Sequence, residues 1–126
     1  MEVEIIQEQT KGSPGISFIP HDSLLRIGGR SIPENPESVY RPLYNWVDEY
    51  FKGDGSLKVE IILEYINSGS SKHLLEVLRQ LKEYRENGKE LSITWFYEED
   101  DESILELGEY YRDASGIPVN IEMIIS

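Results

Sequence analysis

The chain has no cysteine among its 126 residues. That absence excludes a disulfide scaffold, a Cys-ligated zinc or iron–sulfur centre, and thiol catalysis. Basic residues are also scarce: 12 Lys and Arg stand against 24 Asp and Glu, for a formal net charge of −12. Binding nucleic acid through its phosphates needs clustered Lys and Arg, so this class is disfavoured. An anionic membrane surface would repel the chain for the same reason. No apolar run approaches bilayer-spanning length, and the acidic start Met1-Glu2-Val3-Glu4 is unlike a signal peptide. The 39% apolar content still supplies one core, and the length leaves no room for a second. The expectation is a single cytoplasmic domain spanning residues 1–126.

Gly, Pro and Ser cut the chain into alternating segments. Val3 to Gln7 reads as extended, and Lys11-Gly12-Ser13-Pro14-Gly15 breaks it. Ile16 to Ile19 then pairs with Leu24 to Gly28 across His21-Asp22-Ser23 in a predicted hairpin. A helix start follows, with Asn35 as N-cap, Pro36 at the first helical position and Glu37 in the first turn. Val39, Leu43, Trp46, Val47, Tyr50 and Phe51 give this helix an apolar stripe. Pro42 lies inside it as a potential kink, and Gly53-Asp54-Gly55 ends it.

Leu57, Val59, Ile61, Leu63 and Tyr65 alternate with Lys58, Glu60, Ile62 and Glu64, the pattern of a strand with one buried face. Asn67-Ser68-Gly69-Ser70-Ser71 interrupts it. A second amphipathic helix carries Leu74, Leu75, Val77, Leu78, Leu81 and Tyr84 and closes at Asn87-Gly88. Leu91, Ile93, Trp95 and Tyr97 mark another strand. A third helix carries Ile104, Leu105, Leu107 and Tyr111, and Val119, Ile121, Met123 and Ile125 form a last strand. Strand–helix–strand units cross over right-handed, which favours parallel strands in the C-terminal half. Clean alternation places the helices on mainly one face. The predicted fold is a two-layer α/β domain on a mixed sheet of four to five strands.

Motifs for catalysis are few. His21 and His73 belong to no metal-binding pattern, and no nucleophile elbow, dinucleotide fingerprint or Walker run occurs. Neither catalytic residue, metal site nor cofactor is therefore expected. The acidic run Glu98 to Glu102 has the carboxylates of a Mg²⁺ or Ca²⁺ site but not the spacing. Acids at a helix start, stabilised by its dipole, explain it more simply. Most aromatics fall on an apolar phase and read as core; Phe96 and Tyr110 do not.

The segment Ser68-Gly69-Ser70-Ser71-Lys72 stands where a central strand ends and a helix begins, at the carboxyl edge where open α/β sheets place their sites. Backbone N–H groups at a helix start favour an anion there, and a phosphate on one hydroxyl would add about −1.5 to −2 charge. A plain Ser N-cap is the competing explanation.

Three stretches here, Gly29-Arg30-Ser31-Ile32-Pro33-Glu34-Asn35, Trp46-Val47 and Leu63 through Lys72, resemble the SiaC family of regulatory phosphoproteins. Gly88 through Tyr97 and the acidic stretch ending Asp101-Glu102 are similar to it too, so the likeness runs from about Ser13 onward. The resemblance implies a non-enzymatic switch. A dedicated kinase phosphorylates a hydroxyl just after Tyr-x-Asn, a phosphatase removes the phosphate, and the unmodified form binds and activates a diguanylate cyclase. The acceptor maps to Ser68, with Ser70 and Ser71 as rivals. Around it a partner-docking surface is expected, made of Ser31, Pro33, Glu34, Asn35, Asn67, Gly69 and Lys72, which a phosphate would block by desolvation and repulsion. Ser68 stands where the family has Thr, and Ile32 where it often has Tyr. The architecture is also similar to STAS domains, which leaves an anti-sigma-factor antagonist as one alternative. A small carboxylate-dependent enzyme and a dimerisation module using a free sheet edge are the others.

Overall fold

A computed structural model of the chain describes residues 2–125. The order is β1 (Glu4–Gln7), β2 (Gly15–Ile19), a 3-10 turn (Pro20–Asp22), β3 (Leu24–Ser31), α1 (Pro36–Tyr50), β4 (Leu57–Ile66), α2 (Ser68–Glu86), β5 (Leu91–Glu98), α3 (Glu102–Ser115) and β6 (Asn120–Ile124). The strands lie side by side in chain order in one sheet. β1, β2 and β3 are antiparallel neighbours, whereas β3–β4, β4–β5 and β5–β6 are parallel.

The sheet therefore has six strands, not the four to five expected. The additional one is β1: Glu4 and Ile5 pair with Phe18 and Ser17, so the extended N-terminal segment joins the sheet. Short strands with mixed exposure carry a weak pattern, which is why the segment reads ambiguously alone.

Three parallel crossovers step in one direction along the sheet, and right-handed crossovers of that kind put every helix on the same face. α1 packs on α2 and α2 on α3. Under this layer, Leu57, Val59, Ile61 and Leu63 of β4 are buried, while Lys58, Ile62 and Glu64 on the opposite face are exposed. Ile16, Leu25, Ile27, Ile93 and Trp95 extend the same buried face. Tyr40, Leu43, Val47, Leu74, Val77, Leu78, Leu81 and Tyr111 close it from the helices. α1 runs unbroken through Pro42, an exposed residue whose missing N–H removes only one helical bond.

The alternation of β4 does not run to its end. Up to Gly29 of β3 and Leu63 of β4 the register is regular; the next pairs are Arg30 with Tyr65 and Ser31 with Ile66. Glu64 is thus an extra residue, a bulge beside Gly29, whose φ of +88° belongs to glycine. The inserted residue inverts the phase of the last two residues of β4. Tyr65, expected on the buried face, is 51% exposed with the Arg30 guanidinium 5.7 Å from its ring centre, and Ile66 turns onto the core instead.

α3 sits close on the sheet because Gly108 has no side chain. A Cβ there would lie 2.6 Å from Trp95 Nε1, whose N–H already donates to the Ile104 carbonyl at 2.9 Å. Gly108→Ala should force the helix off Trp95 and cost about 1–3 kcal/mol, the usual effect of overpacking. Urea unfolding of the variant against the parent protein measures it.

Candidate functional site

The carboxyl ends of β3 and β4 lie side by side, and both chains turn there into helices. The Asn67 N–H donates to the Ser31 carbonyl at 2.9 Å, locking the two strand ends together. The chain then enters α2 through a full cap. Asn67 Oδ1 accepts from the Ser70 N–H at 2.9 Å, and the Ser71 N–H donates to the Asn67 carbonyl. The N-cap is therefore Asn67 rather than a serine, so Ser68 is left at the first helical position. α1 starts next door: Pro36 lies close enough that a Cβ on Gly69 would sit 3.2 Å from its ring. Asn35 occupies the N-cap position of α1, but its side chain makes no capping bond.

The three serines differ sharply. Ser68 is exposed. Ser70 is fully buried, and its hydroxyl has no hydrogen-bond partner. Ser71 is half-buried and shares a 2.6 Å hydrogen bond with the Tyr111 hydroxyl of α3. Below them, Ser31 and Tyr40 share a buried bond of 2.8 Å, and the Tyr40 ring stacks on His73 with centres 5.7 Å apart. The Tyr44 hydroxyl meets His73 Nδ1 at 2.9 Å. Burial raises the Tyr40 phenol above its ordinary pKa, and its bond to the Ser31 hydroxyl partly offsets this. Burial likewise pushes Tyr111 up to about 12, against the opposing effect of the Ser71 bond.

Of the residues singled out in the sequence, Glu34, Asn35, Ser68 and Lys72 are exposed at this edge, and Pro33, Asn67 and Gly69 are half-buried within it. Ser31 is the exception. It is fully buried with its hydroxyl committed to Tyr40, so it supports the edge from beneath and offers a partner no side-chain contact. Tyr40 escapes the sequence reading although it lies three residues before Leu43 and seven before Val47, on the same helical face. The acidic run behaves as a helix start: Asp101 caps α3 by accepting from the Ile104 N–H at 3.1 Å. Among the described residues no three His, Cys, Asp or Glu side chains converge to hold a metal ion. No helix among them is long and apolar enough to cross a membrane.

Residues 7–124 match the sequence profile of the SiaC family regulatory phosphoproteins. The chain belongs to the SiaC family. SiaC of Pseudomonas aeruginosa superposes on it with a TM-score of 0.86 at 26% identity, covering 98% of this chain and 100% of that one. SiaC in its complex with the diguanylate cyclase SiaD, which it activates, gives 0.85 at 27% identity, covering 92% and 96%. An uncharacterized protein of P. aeruginosa strain UCBPP-PA14 is 28% identical over 114 residues, 90% of each chain.

In this SiaC-family chain the tyrosines beneath the loop also couple its packing to alkaline pH. A phenol whose pKa is raised from 10 to about 12 on folding, as in Tyr111, favours the native state while it stays neutral. That contribution is complete below pH 10 and is lost as pH rises from 10 towards 12. Tyr111→Phe should cost about 0.5–1.5 kcal/mol at neutral pH through the lost Ser71 bond. It should also flatten the fall in stability above pH 10, read from urea melts at pH 7, 10 and 11.

Proposed function

We propose that this protein is a phosphorylation-controlled partner switch. With Ser68 unmodified, the edge formed by Pro33, Glu34, Asn35, Asn67, Gly69 and Lys72 docks on an effector enzyme, of which a diguanylate cyclase is the expected kind, and activates it. A kinase closes the switch by phosphorylating Ser68, and a phosphatase reopens it. The protein itself carries out no catalysis. The similarity to SiaC, an activator in complex with a diguanylate cyclase, supports the choice of effector.

The observation that carries the choice of residue is the contrast among the serines. A kinase must bring a hydroxyl to its γ-phosphate, and only the Ser68 side chain of the three is exposed. Reaching Ser70 would require unpacking the core, and reaching Ser71 would break its bond to Tyr111. Phosphate on Ser68 also fits the fold. It would stand in the first turn of α2, where the helix dipole favours negative charge, and Lys72 comes one turn later with no carboxylate paired to it among the described residues.

The modification therefore leaves the fold intact and acts on the partner. A dianion set among Glu34, Asn35 and Asn67 must be desolvated to dock and repels acidic groups opposite it. Regulation of this kind is usually worth about 1–3 kcal/mol, or roughly 5–150-fold in affinity. Peptide mapping of the protein from its native host should find phosphate on Ser68. Ser68→Ala should abolish it, while Ser70→Ala and Ser71→Ala retain it. A phosphate persisting on the Ser68→Ala protein at Ser70 or Ser71 would refute the assignment.

A further inference from the structure

The docking edge around Ser68 is polar. Pro33, Glu34, Asn35, Asn67, Gly69 and Lys72 include no large apolar or aromatic side chain. Stable interfaces draw most of their affinity from a few buried anchors, Trp, Tyr and Arg above all, and cover about 20–30 residues a side. A partner seated on this edge must therefore reach beyond it to find an anchor.

The two strands that end there supply one. Among the described residues, Ile62 and Tyr65 are the exposed large apolar side chains of β3 and β4, at 38% and 51%. Tyr65 comes two residues before Asn67 and Arg30 one before Ser31, and the Asn67–Ser31 backbone bond ties these strand ends together. The bulge at Glu64 turns Tyr65 out of the core, onto the sheet face that carries no helix and beside the Arg30 guanidinium. Bulges next to functional sites commonly re-aim a side chain in this way. Ile62 lies on the same face opposite Gly28, which has no side chain to cover it. Arg30 is exposed and pairs with no carboxylate among the described residues, the exposed Glu64 included. In a chain with twice as many acids as bases, a guanidinium left unpaired at this position is available to an acid from outside.

We propose that Tyr65 and Arg30, flanked by Ile62, anchor the effector enzyme, which meets them with an apolar side chain beside a carboxylate. This rests on reading the Ser68 edge as the surface that docks the effector. The Tyr65 ring buries against the apolar group, and Arg30, held near that ring, pairs with the acid as water leaves. Charge complementarity selects an acidic partner segment over a basic one, because the free cations of this region are Arg30 and Lys72. The same acidic segment is what a phosphate on Ser68 would repel.

Titration of the unmodified protein with a diguanylate cyclase from the native host tests this, with thermal unfolding followed on the same samples. Tyr65→Ala should weaken binding about tenfold or more, whereas Tyr65→Phe, which keeps the ring beside Arg30, should stay within about threefold. Arg30→Glu should weaken it at least as much at low salt, with a deficit that shrinks as salt rises. Two controls should bind as the parent does. Lys58→Glu makes the same charge change at the far end of β4, and Tyr110→Ala removes an exposed tyrosine from α3. Melting temperatures should stay within a few degrees throughout. Binding left unchanged by Tyr65→Ala or by Arg30→Glu, or weakened equally by the controls, would overturn the anchor and leave the reading of the Ser68 edge standing. A parent protein that binds no cyclase would overturn both.

Discussion

The parallel pairing of β3 with β4, and the single extra residue that ends it, is the constraint on which the remainder of the structure depends. Up to Leu63 the two strands keep an ordinary register. The bulge at Glu64 then advances β4 by one residue. Without it, Tyr65 would enter the core and Ile66 would face water. With it, Ile66 packs inward, and Asn67 arrives where its N–H reaches the Ser31 carbonyl and its side chain caps α2. The exposure of Ser68, the burial of Ser70 and the half-burial of Ser71 result from that one offset.

The residues beneath the loop are as consequential as those on it. Each clamping tyrosine comes from a different helix: Tyr40 of α1 holds Ser31 and Tyr111 of α3 holds Ser71. Both hydroxyl pairs sit in a low-dielectric setting, where an unpaired group is costly and a paired one fixes geometry. The first turn of α2 is thus braced from both sides. A phosphate on a braced, outward-facing serine changes the surface a partner meets without loosening the element that carries it. The net charge of −12 points the same way. One more dianion shifts the total little and is screened beyond about 8–10 Å at physiological salt, so its effect is confined to the docking edge.

Much of this is legible in the chain itself. The apolar stripe of α2 and the alternation of Leu57 to Leu63 are strong periodic signals, and both elements stand where those signals place them. So does the Gly-Ser segment at the carboxyl edge. Alternation puts Tyr65 on the wrong face because a bulge leaves no mark in a hydrophobic pattern; the neighbouring Gly29 is its only trace, and it lies on the other strand. The strand β1 is hard to count because four residues give too few alternations to separate a strand from an extended tail. The burial of Ser31 is hidden for a different reason: a serine carries no hydrophobic signal, and its partner Tyr40 comes from a separate element. Pairings across elements are a property of the packed layers, and no local window contains them.

The proposed switch stands or falls on whether charge on one exposed hydroxyl, and not a change of fold, governs partner docking. The most direct measurement compares protein bearing phosphoserine at position 68 with the unmodified protein. Affinity for a diguanylate cyclase from the native host is read by titration, and thermal unfolding is followed on the same samples. The phosphate should lower affinity about 5–150-fold while the melting temperature stays within a few degrees. Equal affinity of the two forms, or a loss of binding that tracks unfolding of the phosphorylated protein, would contradict it.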